Sequence, residues 1–204
     1  MAEVRVADRN GVSAGNVDIV LVSYDDHGRI LDFGAVEVQA VYISGNIRRP
    51  FEFYMENPHS RANMDWRGQA NYPRSDYLSS SRKRLAPQLI YKGGIFKAWQ
   101  KKTAVVLDRT FFARLPTFTE VEPSEADIAW MVYDLVLDPA QNRYHLTPHT
   151  TIYTKFEAAL LRLTRSEPGP VEAFVAHLQE RLDTSLTGTP PDAPTLLDDL
   201  EIEP

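Results

Sequence analysis

The stretch 16-NVDIVLVSYDDHGRILDFGAVEVQAVYISGNIRR-49 reads as a strand, a tight turn and a second, longer strand. Residues 16–24 are β-branched and apolar, the composition of a half-buried or buried strand. Asp25, Asp26, His27 and Gly28 carry turn chemistry, and Gly28 can supply the positive φ that a hairpin needs. Residues 31–43 then run on as the second strand. The two-residue period puts Val36, Val38, Ala40 and Tyr42 on one face and Glu37, Gln39, Val41 and Ile43 on the other. With a two-residue turn centred on His27 and Gly28, cross-strand partners have numbers that add to 55, and Asp18 sits opposite Glu37. A longer loop or a bulge shifts this by about one residue and keeps the two acids adjacent or diagonal.

Two carboxylates side by side on a strand pair repel each other unless a cation lies between them. Oxygen donors of this kind suit Mg²⁺, with waters and a substrate phosphate as the remaining ligands. An Asp, about twenty residues, then Glu-x-Gln on a hairpin resembles the core of the PD-(D/E)xK nucleases, with Gln in place of the usual Lys. The flanking residues are more telling. Residues 15–22 (GNVDIVLV), 36–45 (VEVQAVYISG) and 82–89 (RKRLAPQL) resemble the NotI restriction endonuclease family, over about residues 1–165.

The resemblance implies an α/β fold, a restriction-endonuclease-like core with a mixed central β-sheet flanked by helices. It implies Mg²⁺ held by Asp18, Glu37 and the Val38 carbonyl, with Gln39 orienting or activating the attacking water. The family's upstream acid points to Glu3, which reaches the site if it ends a short helix. A neutral amide at 39 cannot meet a developing anion with charge, so that work falls on the metal or on a Lys or Arg brought in from the basic middle of the chain. The implied activity is cleavage of double-stranded DNA at a specific sequence; the alternative is a DNA-binding fragment that has lost cleavage. The family's N-terminal, cysteine-bound metal has no counterpart, since there is no cysteine, and only seventeen residues precede Asp18. The expectation is therefore that an N-terminal recognition segment is missing, which bears on sequence specificity more than on the chemistry.

Composition sets further bounds. Without cysteine, a disulfide scaffold and a zinc finger are excluded. No apolar run approaches the roughly 20 residues that span a bilayer, and the first ten residues lack an apolar signal core, so a cytoplasmic location is expected. The net charge of −6 looks wrong for a DNA-binding protein until it is divided along the chain. Residues 44–115 hold 14 Lys or Arg against 5 acids, whereas residues 120–204 hold 5 against 16. A strongly basic middle fits a nucleic-acid cleft on one side of the molecule.

Within that middle, Pro50 ends the second strand, and residues 51–55 suit a short strand or a helix start. Residues 57–81 are rich in Asn, Ser, Pro, Arg, Trp and Tyr, and read as a long irregular segment, either a plain surface loop or one that enters a groove, with Arg67, Gln69 and Asn71 among its polar groups. A helix follows, restarted at Pro87 and broken at Gly93-Gly94. Arg48, Arg49, Arg67, Arg82, Lys83, Arg84, Lys92, Lys97 and Lys101 are the expected phosphate contacts. Residues 103–107 read as a central strand, and 127–137 with 143–153 as a hairpin. His145 and His149 stand about 13 Å apart on such a strand, too far to share a metal. Residues 155–164 and 170–186 are amphipathic helices suited to covering the sheet. The expected division is one catalytic domain, 1–187, and an acidic, Pro-rich, disordered tail, 188–204. Cutting both strands of a palindrome points to a homodimer.

Overall fold

The structure, a computed structural model, describes residues 1–68, 72–166 and 168–187. Gln69, Asn71 and the 188–204 segment therefore lie outside the described residues. Two compact units are present, Met1–Arg165 and Ser166–Pro204. The first is a mixed α/β unit built on a six-stranded sheet in the order β1-β2-β3-β6-β7-β8. Its strands are β1 (Ala2–Ala7), β2 (Ser13–Tyr24), β3 (Ile30–Gln39), β6 (Thr103–Asp108), β7 (Ile128–Asp138) and β8 (Arg143–Thr154). The central pairs β3–β6 and β6–β7 are parallel and the outer pairs antiparallel, the mixed sheet expected from the sequence.

The hairpin keeps the expected register by a different route. The turn spans Asp25–Arg29, with Asp25 N–H donating to the Arg29 carbonyl and Gly28 at φ +76°. A bulge at Ser23/Tyr24 then restores the pairing, and Ile19 faces Val36, partners whose numbers add to 55. The longer second strand is not continuous. β3 ends at Gln39, level with Leu107, and the chain leaves the sheet there. Residues 42–44 form β4 (Tyr42–Ser44), which pairs with β5 (Arg74–Asp76) in a separate two-stranded sheet. The Tyr42 N–H donates to the Ser80 hydroxyl at 2.7 Å, which ties this excursion to the helix that follows. Pro50 is buried in the first turn of α1 (Arg48–Glu56), where a missing N–H costs nothing, so it starts a helix rather than blocking a ladder. The first residues form edge strand β1, not the short helix that would carry Glu3 to the site.

One face of the sheet is covered by helices. Residues 77–98 form an unbroken helical run: α2 (Tyr77–Ser80), a π-helical turn (Ser81–Leu85), α3 (Ala86–Gln88), a second π-helical turn (Leu89–Gly93) and α4 (Gly94–Ala98). The wider π-turn before Pro87 gives room to its ring, so the proline does not break the run. Gly93-Gly94 is not a break either. A Cβ on Gly93 would lie 3.0 Å from Phe156 Cε2, so the glycine lets the run approach α6 (Phe156–Thr164) closely. Leu85 and Leu89 pack with Phe156, Ala159 and Leu163 of α6 and with Val105, Leu107, Ile128, Trp130 and Val132 of the sheet. A short α5 (Arg109–Phe112) is capped by Asp108, whose carboxylate accepts from Phe111 N–H at 2.6 Å. In the second unit, α7 (Val171–Thr187) is an amphipathic helix whose Val171, Phe174, Val175, Leu178 and Leu182 are exposed.

Asp127 joins three of these elements at the foot of β7. Its Oδ1 accepts from Lys97 Nζ at 2.8 Å and its Oδ2 from the Phe156 N–H at 3.0 Å. Burial alone raises the Asp127 pKa, but the Lys97 hydrogen bond, the Phe156 N–H and the Lys97 and Lys155 charges outweigh it and hold the carboxyl below its ordinary 3.8. The Asp127 hydrogen bond and charge raise the Lys97 ammonium above 10.5, against partial desolvation. A depressed carboxyl contributes stability above its unfolded pKa and loses it as pH falls through the folded value; a raised ammonium contributes below its unfolded pKa and loses it as pH rises through the folded value. The pair therefore contributes fully between those limits. Asp127→Ala is expected to cost about 2 kcal/mol at neutral pH, read by urea denaturation, with the difference from wild type shrinking below pH 4. An unchanged difference at pH 3 removes the ionic part of this account.

Candidate active site

Glu37 and Gln39 point from β3 into the helix-covered face, at 4% and 5% exposure, although both are polar. A strand advances about 6.6 Å in two residues and a helix about 6 Å in four, so two side chains on one can meet two on the other. The helical run supplies Gln88 and Lys92. Gln39 Nε2 donates to Gln88 Oε1, and Lys92 Nζ donates to Glu37 Oε2 at 2.5 Å. Lys92 also donates to the Asn16 carbonyl at 2.8 Å. Both partners of the ion pair are buried, with 6% and 5% of the two side chains exposed.

Beyond Ile19↔Val36 the β2–β3 ladder stops, and side chains satisfy the backbone groups it leaves. Val38 N–H donates to Asp18 Oδ2 at 2.7 Å, while Asn16 C=O takes the Lys92 ammonium. Val17 and Val20 are both buried, so strict alternation along β2 is broken between them, and Asp18 turns toward the β3 backbone. Asp18 is half-buried. An N–H and C=O of one strand residue point to the same side, so the Val38 carbonyl also faces Asp18.

The electrostatics of Glu37 follow from this packing. Burial pushes its carboxyl above the ordinary range, the Lys92 hydrogen bond and charge pull it back, and the nearby Asp18 charge pushes it up again. Its second oxygen, Oε1, is buried with no hydrogen-bond partner, and so is Gln39 Oε1; among the described residues these are the two buried side-chain atoms left in that state. Two unsatisfied buried acceptors are costly unless a cation or water completes them. The donors near Glu37 are all oxygen: its own Oε1, the Asp18 carboxylate whose charge it feels, and the Val38 carbonyl. That set fits a hard divalent cation that keeps part of its water.

The other expected site residues fall elsewhere. Glu3 lies on the exposed edge strand β1, not on a helix, with φ +51°. Among the described residues no three Asp, Glu or His side chains gather as a metal group, so Glu3 does not complete a triad with Asp18 and Glu37. Lys92 is buried at the centre of the site rather than on a DNA-facing surface. The Lys97 ammonium is engaged by Asp127 and that of Lys101 by Asp32. Arg48, Arg49, Arg67, Arg82, Lys83 and Arg84 are exposed, as phosphate contacts need to be. Arg48 also pairs with Glu52, and Arg84 stacks over the Tyr42 ring at 4.3 Å, one helical turn before Gln88.

Reading the residues as contacts rather than as a pattern misses Gln88, and misplaces Lys92. The signal was present. Leu85, Leu89 and Phe96 form the buried stripe of the run, and Lys92 falls in that stripe at helical spacing.

A comparison with protein families matches residues 1–146 to the family described as restriction endonuclease NotI. The chain belongs to the NotI restriction endonuclease family. The matched residues contain Asp18, Glu37, Val38, Gln39, Gln88 and Lys92, and end within β8. No curated protein matches the chain. NotI-family membership implies a DNA endonuclease that acts at a specific sequence, and the six-stranded mixed sheet with its flanking helices is compatible with a restriction-endonuclease-like core. Among the described residues no helix is long and apolar enough to cross a membrane.

Proposed function

We propose that this NotI-family chain hydrolyses DNA phosphodiester bonds in a Mg²⁺-dependent manner, as a PD-(D/E)xK nuclease of the ExQ kind. The observation that carries this reading is the pair of buried, unpartnered oxygens on Glu37 and Gln39 beside Asp18 and the Val38 carbonyl. Asp18, Glu37 and the Val38 carbonyl hold the cation in this reading. When bound, a divalent cation supplies Lewis-acid polarisation of the phosphate and acidifies water. The protein's own groups do the rest. Gln39, its amide nitrogen tied to Gln88, presents its carbonyl oxygen to the attacking water and orients it. Exposed arginines on the helical run and on α1 hold the phosphodiester backbone and give binding its salt dependence. Two copies acting on a palindrome cut both strands.

The test is incubation of the purified chain with plasmids of mixed sequence in Mg²⁺, with the ends mapped. Cleavage at one recurrent sequence, abolished by EDTA, is the expected result. Salt-sensitive DNA binding without Mg²⁺-dependent cleavage identifies instead a DNA-binding module that has lost catalysis.

A further inference from the structure

We propose that Lys92 is a catalytic residue of this site: its ammonium, delivered from the helical run rather than from β3, meets the charge that develops on the reacting phosphate, and Gln88 is the positioning residue that fixes Gln39 beside it. The inference rests on the nuclease reading above and adds to it the source of positive charge. Hydrolysis puts negative charge on the phosphate oxygens and on the departing oxygen, and a neutral amide at 39 can only orient. Among the described residues Lys92 is the one buried basic side chain, and it lies against Glu37 in the site. Two of its N–H groups are used, by Glu37 Oε2 and Asn16 C=O. The third has no partner among the described residues.

The geometry is built rather than incidental. The π-helical turn Leu89–Gly93 carries Lys92, and widened turns of this kind commonly re-aim a side chain at a functional position. Gly93, pressed against Phe156, sets how deep that turn lies. Lys92 also anchors Glu37 Oε2, which leaves Oε1 as the oxygen available to a cation. The reaction balances without a further co-reactant. Water's O–H bond breaks as its oxygen bonds to phosphorus, the proton passing to solvent. The bond from phosphorus to the departing oxygen breaks, and that oxygen takes up a proton from water. Lys92 donates hydrogen bonds throughout and keeps its three protons.

The experiment compares wild type, Lys92→Met and Gln39→Lys/Lys92→Met by single-turnover cleavage and, without DNA, by Mn²⁺ titration calorimetry and circular dichroism. Lys92→Met is expected to slow cleavage at least about a hundredfold while Mn²⁺ binding is kept or tightened, because losing the ammonium also removes its repulsion of the cation. The double variant, which returns an ammonium to the site from β3, is expected to recover about tenfold or more of the loss. Cleavage by Lys92→Met within threefold of wild type overturns the proposal, as does a folded Lys92→Met that loses Mn²⁺ binding and cleavage together, since Lys92 then serves only to hold Glu37. Should Lys92→Met fail to fold, the double variant decides: cleavage supports the proposal, and a folded, Mn²⁺-binding, inert protein overturns it. If neither folds, Lys92 is a structural cation and the proposal falls. A wild type that binds Mn²⁺ and cleaves nothing removes the nuclease reading itself, a result distinct from all of these.

Discussion

Glu37→Ala is expected to lose at least about a hundredfold in cleavage rate and to be less stable than wild type by about 3–5 kcal/mol, because one residue serves the site and the core together. The activity loss follows from removing a carboxylate oxygen that nothing else in the site replaces. The stability loss has a different origin. Truncation leaves the Lys92 ammonium buried at 5% exposure with only the Asn16 carbonyl for a partner, and an unpaired buried charge costs more than the pair contributed. Glu37→Gln separates the effects. The amide keeps the shape and can still accept from Lys92, so it should remain folded at neutral pH while cleavage falls by a similar factor. Urea denaturation and plasmid cleavage, run on both variants, read the two quantities. Near wild-type cleavage by either variant removes Glu37 from the chemistry.

Trp130→Ala is the largest purely structural loss expected, about 3–5 kcal/mol. Trp130 is fully buried on β7, stacked on Phe118 with ring centroids 4.6 Å apart and planes 13° from parallel. Its Nε1–H donates to the Thr154 hydroxyl at 3.0 Å, itself fully buried at the end of β8. The truncation therefore opens a cavity in the main core and strips a partner from a buried hydroxyl. Trp130→Phe keeps most of the packing and should cost about 1–3 kcal/mol, the share due to the orphaned hydroxyl and the smaller ring. A double-mutant cycle with Thr154→Val isolates the hydrogen bond, since removing both partners should restore part of that cost. A Trp130→Ala protein with an unchanged urea midpoint contradicts this picture of the core.

Local chemistry determined much of this protein. Alternating β-branched residues set β2 and β3, a Gly28 turn set their pairing, and the apolar run 103–107 set the central strand, because each choice is made by neighbours close in the chain. The same two-residue period placed Glu37 and Gln39 on one face. That period also failed at two points. It carried the second strand past Gln39, where β3 loses its neighbour and the chain leaves the sheet. It also put Asp18 opposite Glu37 without showing that a break in alternation turns its carboxylate to the Val38 N–H.

Only tertiary structure decided the roles of Gly93, Gln88 and Lys92. As a local pattern, Gly93-Gly94 reads as a break and Lys92 as one more surface cation among the 14 basic residues of 44–115. Their meaning depends on contacts with residues far away in the chain: Phe156 against Gly93, Gln39 against Gln88 at a separation of 49, and Glu37 against Lys92 at 55. Burial turns a lysine from a solvated charge into the partner of a buried carboxylate, and burial is a property of the assembled sheet and helix, not of the residues beside it in sequence.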